Sequence, residues 1–150
     1  VPVQCAGRRT IAGDLGKLDL KSALQEAGFN SSKPSCWLLE GLVMYLTRSE
    51  LHKLAAQIGE LAAPGSALWH DAFSETSIRQ GMSFYGVPFK SGQDNYSEIW
   101  TKCGFQKSIM MDSRGAWVDR EARKLQMDDR YQVLPSQLSG RPMCLLVRAE

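Results

Sequence analysis

The four cysteines of this chain, Cys5, Cys36, Cys103 and Cys144, form no C-x-x-C pair, and neither histidine stands at metal-ligand spacing from another ligand. The pattern calls for no metal. The cysteines read as reduced core residues of an intracellular, cytoplasmic protein. No apolar run approaches the ~20 residues of a membrane-spanning helix, and no basic start leads into an apolar signal segment. The expectation is a soluble chain without a membrane partner. Basic residues are not massed in a stripe: 18 Lys and Arg against 16 Asp and Glu leave a net charge of +2, which argues against a nucleic-acid platform. A glycine-rich phosphate loop, a G-x-S-x-G elbow and an internal repeat are also missing. Nucleotide-loop binders and the common serine hydrolases are thereby disfavoured.

What the chain does have is apolar content, 43% over 150 residues, enough for one core and too little length for two domains. Its most apolar run, Cys36 to Leu46, is interrupted by a single carboxylate, Glu40. Cys36 to Leu39 reads as a buried central strand of a parallel sheet, because strands covered on both faces lose alternation. Glu40 then falls at the strand's carboxyl end, where open α/β sheets bind ligands, and Gly41 allows the backbone to bend there. A lone strand-end carboxylate is as often a helix cap or a surface ion-pair partner as a site residue. Other segments are needed to decide.

Arg8 to Gly13 reads as a short strand ending in an acidic turn at Asp14. From Asp19 to Ala27 the apolar residues recur at helical spacing, with Gly28 just past the end. Thr47 and Glu50 make an S/T-x-x-E capping box ahead of a helix whose apolar face is Leu51, Leu54, Ala55, Ile58, Leu61 and Ala62. His52 lies beside that stripe and reads as solvated surface. Ser66 to Phe73 is the next strand, parallel to the Cys36 strand. It contains the neighbours His70 and Asp71, which in a strand point to opposite faces and so make no catalytic dyad. Ser74 to Gln93 is the least regular stretch, and its Met82, Phe84, Tyr85 and Phe89 either line a pocket or cover the core. Asp94 to Cys103 returns to helix, Phe105 to Met111 to strand, Arg114 to Asp129 to a solvated charged segment, and Met143 to Val147 to a closing strand. Strand and helix in alternation indicate one doubly wound α/β domain over residues 1–150.

Several of these residues resemble the leucine carboxyl methyltransferase-like family of S-adenosylmethionine-dependent methyltransferases. Asp14-Leu15 followed by Ala23-Leu24-x-x-Ala27-Gly28-Phe29 is similar to the family's Asp-Leu segment and its helix ending in Ala-Gly-Phe. Trp37 to Leu46 is similar to its Glu-Gly-Leu-x-x-Tyr-Leu signature. Ala63-Pro-Gly-Ser66 matches the turn before the next strand, and Ile99-Trp100 through Cys103-Gly104-Phe105 resembles a late Trp…Gly-Phe element. The match runs from Arg8 to about Phe105 and is weak beyond.

The resemblance implies a Rossmann-like class I methyltransferase sheet that binds S-adenosyl-L-methionine at its carboxyl edge. It gives Asp14 and Leu15 the adenine end of the cofactor, Glu40 the amino-acid and ribose end, and Tyr45 a place on the substrate side. It names no catalytic acid or base, because the sulfonium is already an activated methyl donor and positioning carries much of the effect. The acceptor it implies is an oxygen nucleophile, a carboxylate or hydroxyl of a small molecule or peptide. The family's glycine-rich turn after its first strand and the acidic residue ending its second have no counterpart here. In the family's strand order, 3-2-1-4-5-7-6, the sheet is thus expected to be incomplete at its N-terminal side. The chain alone is then expected to bind cofactor weakly or not at all, and to self-associate through an open sheet edge or fold the Arg8 segment onto it. The alternative is a non-catalytic methyltransferase remnant serving as a binding or interaction module.

Overall fold

A computed structural model describes residues 7–93, 95–105, 107–111 and 143–148. The first element, α1 (Leu20–Glu26), begins where Asp19 accepts a hydrogen bond from the Ser22 backbone N–H and ends in a paired turn. There the Gly28 N–H donates to Gln25 and the Phe29 N–H to Leu24, with Gly28 at φ +87°, an ending that favours glycine because of its left-handed φ. Strand β1 (Cys36–Leu39) follows, then a 3-10 turn (Val43–Tyr45) and α2 (Arg48–Leu61). The capping box forms as expected. The Glu50 N–H donates to the Thr47 hydroxyl oxygen, and the Glu50 carboxylate accepts from the Thr47 N–H and hydroxyl. The face buried by α2 is Leu51, Leu54, Ala55, Ile58 and Leu61. His52 is exposed.

After α2 come β2 (Ala67–His70), α3 (Glu75–Arg79), a small hairpin of β3 (Ser83–Phe84) and β4 (Val87–Pro88), α4 (Tyr96–Lys102), and the strands β5 (Lys107–Met111) and β6 (Met143–Arg148). The hairpin turn at Tyr85-Gly86 has both residues at positive φ, the twist that a two-residue connection requires. The main sheet has the order β1-β2-β6-β5. β1 and β2 are parallel, with Leu39 opposite His70, and β6 runs antiparallel to both β2 and β5. On one face of the β1–β2 pair, Leu39, Leu68 and His70 are buried with partly buried Trp37 beside them, under α2 and α4. Helix α4 meets α2 closely: a Cβ on Gly59 would collide with the Cys103 carbonyl. Among the described residues no helix is long and apolar enough to cross a membrane.

Four expectations need correction. Residues 8–13 form no strand; all six are exposed, and two arginines with glycine on either side find no partner strand, without which a short extended segment does not hold. Asp14 therefore sits in a turn rather than at a strand end. β1 is a strand parallel to β2 but is neither central nor buried on both faces. It stands at the edge of the described sheet, and Leu38 is 63% exposed. The continuous apolar run that suggested burial comes from an inner face, Trp37 and Leu39, and an outer one, Cys36 and Leu38. Cys36 is accordingly exposed rather than a core residue, while it and Cys103 are free thiols as expected. Finally, the stretch 74–93 is more regular than it reads, holding α3 and the hairpin. Cys5 and the segment Arg114 to Asp129 lie outside the described residues.

Candidate functional site

The carboxyl ends of β1 and β2 lie side by side, and each is followed by a polar residue pointing away from the core. Glu40 follows β1 and is exposed; Asp71 follows β2 and is half-buried. The Gly41 N–H donates to Asp71 Oδ1 at 2.8 Å, a charge-assisted bond that ties the two strand ends together. Gly41 has φ +64°, and a Cβ there would meet nothing within 4 Å, so the backbone faces open space where the chain leaves the sheet.

Beside this junction is a cavity of about 130 Å³ lined by Gly41, Met44, Tyr45, Asp71, Phe73, Phe84 and Phe89. Its walls come from three parts of the chain. The 3-10 turn after β1 supplies Met44 and Tyr45, the residues after β2 supply Asp71 and Phe73, and the hairpin supplies Phe84 and, just beyond it, Phe89. Backbone bonds hold them in register. The Lys90 N–H donates to the Met44 carbonyl at 2.8 Å, the Ser91 N–H to the same oxygen at 3.3 Å, and the Gln93 N–H to the Phe73 carbonyl at 3.1 Å. Phe89 packs against Phe73 at 4.6 Å and edge-on against Tyr45 at 5.3 Å between centroids. Met44, Phe73 and Phe89 form a small buried cluster of their own, separate from the main core.

His70 points the other way. Its Nε2 accepts from the Trp100 indole N–H at 2.9 Å, so the proton is on Nδ1, which donates to the Asp71 carbonyl at 3.1 Å. Burial pushes the imidazole down to about 4, partly offset by that carbonyl bond, which keeps it neutral at physiological pH. His70 and Asp71 form no dyad through their side chains, as alternation along a strand implies.

Of the residues singled out in the sequence, Tyr45 lines the cavity and Glu40 stands at its edge, adjacent to Gly41. Asp14 and Leu15 are not among the lining residues. Asp14 accepts from the Gly16 N–H at 3.0 Å and pairs with Lys17 at 3.5 Å in an exposed turn, and that turn rests against α2, where Lys53 donates to the Gly16 carbonyl. Sequence reasoning missed Asp71 as a site residue. The same rule that selected Glu40, a carboxylate at the carboxyl end of a core strand, would have found it. Phe84 and Phe89 come from the segment read as either lining a pocket or covering the core, and both line the cavity.

Whether these residues suit S-adenosylmethionine can be judged from the shape. A cavity of about 130 Å³ is well below the ~300–1,000 Å³ of a site for a whole cofactor-sized ligand. It is too small to enclose a whole cofactor of that size. The exposed strand end at Glu40, with its acceptor carboxylate and the open backbone at Gly41, suits a polar, hydroxyl- and ammonium-bearing molecule lying across it.

A family model described as leucine carboxyl methyltransferase matches residues 2–59, a range that contains Asp14, Leu15, Glu40 and Tyr45. A protein of Mycobacterium leprae named "Putative S-adenosyl-L-methionine-dependent methyltransferase" is 46% identical over 135 residues, covering 87% of this chain and 44% of that protein. One of the same name from Mycobacterium avium is 32% identical over 114 residues, 76% of this chain and 36% of that protein. Another from Mycobacteroides abscessus is 49% identical over 63 residues, 42% of this chain and 20% of that protein. The chain spans less than half the length of these relatives. With the Glu-Gly-Leu-x-x-Tyr-Leu stretch placed at a strand end beside a cavity, and with these matches, the chain belongs to the leucine carboxyl methyltransferase-like family.

Proposed function

We infer that this chain is part of an S-adenosyl-L-methionine-dependent methyltransferase that moves a methyl group to an oxygen nucleophile, and that the reaction takes place over the carboxyl ends of β1 and β2. The observation that carries the reading is the junction of Glu40, Gly41 and Asp71 beside the aromatic cavity that contains Tyr45. The sheet order supports it. The order β1-β2-β6-β5, with β6 the antiparallel member, has the pattern of the 4-5-7-6 half of a Rossmann-like class I methyltransferase sheet within a single α/β domain. The free thiols Cys36 and Cys103 accord with a cytoplasmic location.

In this reading Glu40 accepts hydrogen bonds from the ribose or amino-acid end of the cofactor, and Asp14 and Leu15 serve its adenine end. When bound, the cofactor supplies an activated methyl group, so the chain's own residues need only bind, orient and exclude water. Asp71 fixes the Glu40–Gly41 backbone through its bond to the Gly41 N–H. The rings of Tyr45, Phe73 and Phe89 keep the acceptor's surroundings dry, which strengthens polar contacts at the reacting centre. Asp14 stands in an exposed turn on the α2 side of the molecule, so its contact with cofactor depends on a ligand extended across the strand ends or on movement of that turn.

The test is equilibrium binding of the cofactor up to millimolar concentration. Wild type should bind weakly. Glu40→Ala, and Asp14→Ala in a chain that also carries the upstream half of the sheet, should each cost about 1 to 3 kcal/mol, the range for leaving a polar group without its partner. Unchanged affinity in either variant removes that residue from the site. A second reading, a non-catalytic interaction module, is favoured by one observation: β1 stands at the edge of the described sheet with Leu38 largely exposed, a surface that invites strand pairing with a second copy. A concentration-dependent dimer, with no cofactor binding at millimolar concentration even when the chain is joined to the part of a curated relative that it does not cover, would select it.

A further inference from the structure

The walls of the cavity say more about its occupant than methyl transfer alone requires. Tyr45, Phe73, Phe84 and Phe89 bring their aromatic rings and Met44 its thioether to a space of about 130 Å³. An apolar cavity of about 150 Å³ holds one benzene ring, so the enclosed part of a ligand is one ring or its saturated equivalent. The lining chooses between the two. Aromatic rings attract one another edge to face beyond the area they bury, and a Met sulfur gains further against a ring edge; a saturated ring of the same outline gains only its area. Phe89 already pairs in this way, at 4.6 Å from Phe73 and edge-on at 5.3 Å from Tyr45 between centroids. The mouth continues the same chemistry. Phe84, Tyr85 and Val87, all on the hairpin, are three of the five large apolar side chains exposed among the described residues, and from Gly81 to Phe89 no residue carries a charge. An exposed apolar patch that runs into a cavity marks a ligand entrance.

We propose that the cavity is the seat of a single aromatic ring, so that the methyl acceptor is an aryl-bearing molecule whose ring rests among Met44, Tyr45, Phe73, Phe84 and Phe89 and whose remainder leaves along the hairpin. The acceptor role rests on the methyltransferase reading; the binding of the ring does not. A ring held in place beside the strand ends orients the rest of its molecule, and binding energy from a part that does not react is what brings a reacting oxygen into line. Phe84 is the wall that sets this preference from outside. Its ring is about half exposed and is backed edge-on by Tyr85 at 4.5 Å between centroids, so it closes the cavity without being part of the core.

The test uses the 150-residue chain and two neutral probes that differ only in their ring, benzyl alcohol and cyclohexylmethanol, titrated to millimolar concentration with NMR as the readout. Benzyl alcohol should shift the Gly41, Met44, Phe73 and Phe89 amide signals, and its ring protons should show nuclear Overhauser contacts to the Met44 methyl and the Phe89 ring. It should bind at least about threefold more tightly than cyclohexylmethanol, although the saturated probe is the more apolar of the two. Phe84→Leu keeps an apolar wall and removes a ring, so it should weaken benzyl alcohol by about threefold and leave cyclohexylmethanol within about twofold. The proposal is overturned by cyclohexylmethanol binding as tightly as benzyl alcohol, by equal weakening of both probes in Phe84→Leu with the hairpin signals in place, or by no shift at the lining residues. Where Phe84→Leu disturbs the hairpin, the wild-type ring contacts decide: contacts to Met44 and Phe89 support the proposal, and contacts elsewhere overturn it. Neither probe involves the methyl donor. A failure here therefore leaves cofactor binding at Glu40 intact, and a failure of cofactor binding leaves the ring site standing.

Discussion

His70 and Asp71 are neighbours in the chain, yet they head two aromatic groups of opposite character. On the His70 side, Tyr96 and Trp100 are buried with it, ring against ring at 5.1 and 5.5 Å, and both imidazole nitrogens are bonded. On the Asp71 side the rings of Tyr45, Phe73, Phe84 and Phe89 leave a cavity between them, and part of that wall is exposed. The histidine's bonds are all closed within the core, while the aspartate ties the ends of β1 and β2 together beside the cavity. The tempting dipeptide is thus split, with the histidine given to stability and the aspartate to the site.

The largest effect expected is from Trp100→Ala. Removing a fully buried Trp costs about 3 to 5 kcal/mol, and His70 Nε2 also loses its donor. Phe84→Ala, on the other group, should cost less than about 1 kcal/mol because its ring is half exposed. Urea denaturation of both variants checks this, and equal losses would erase the contrast between the two groups.

Next in size is a pH effect carried by His70. Its folded-state pKa is about 4, lowered by burial from 6.5. Above about pH 6.5 the ring is neutral whether folded or unfolded, and this linkage contributes nothing. Between 6.5 and 4 the unfolded chain takes up a proton that the folded one refuses, so stability falls with pH, by about 3 kcal/mol in all. Below about 4 both states are protonated and the loss levels off. The ring-proton signal of His70 followed by NMR should titrate near 4; a midpoint near its ordinary value would show that the cluster is wet.

Smaller still is Thr47→Ala. It breaks the capping box at the start of α2 and should cost about 1 kcal/mol by urea denaturation. The cap lies directly after the turn that carries Tyr45, so binding of S-adenosylhomocysteine measured on the same variant should be unchanged if the site depends on the strand ends. A loss of that binding equal to the loss in Glu40→Ala would tie the strand-end site to the start of α2.

Much of this was legible in the sequence because it rests on short-range chemistry. The Thr47–Glu50 cap, the α2 stripe, Gly28 at the end of α1 and the parallel pairing of β1 with β2 all follow from spacing and residue type. So did the placing of Glu40 at a strand end, whereas the 3-10 turn that carries Tyr45 was not read from the sequence. Which face of β1 is covered was not legible, since Cys-Trp-Leu-Leu is apolar on both, while its place at the edge of the described sheet accords with the open edge expected from the family's strand order. Residues 8–13 carry β-prone Thr10 and Ile11, but a strand exists only where another pairs with it. The cavity itself depends on Phe73, Phe84 and Phe89 meeting across a hairpin, a long-range event that periodicity does not encode.

The central claim is that ligands meet this molecule at the strand ends marked by Glu40 and Asp71 and not at the His70 cluster. Amide NMR of the chain titrated with S-adenosylhomocysteine, the demethylated cofactor, tests it most directly. The account predicts shifts that begin at Glu40 and Gly41 and extend to Asp71, with Tyr96, Ile99 and Trp100 unmoved. Shifts centred on Trp100 and its neighbours, with Glu40 and Gly41 silent, would contradict it.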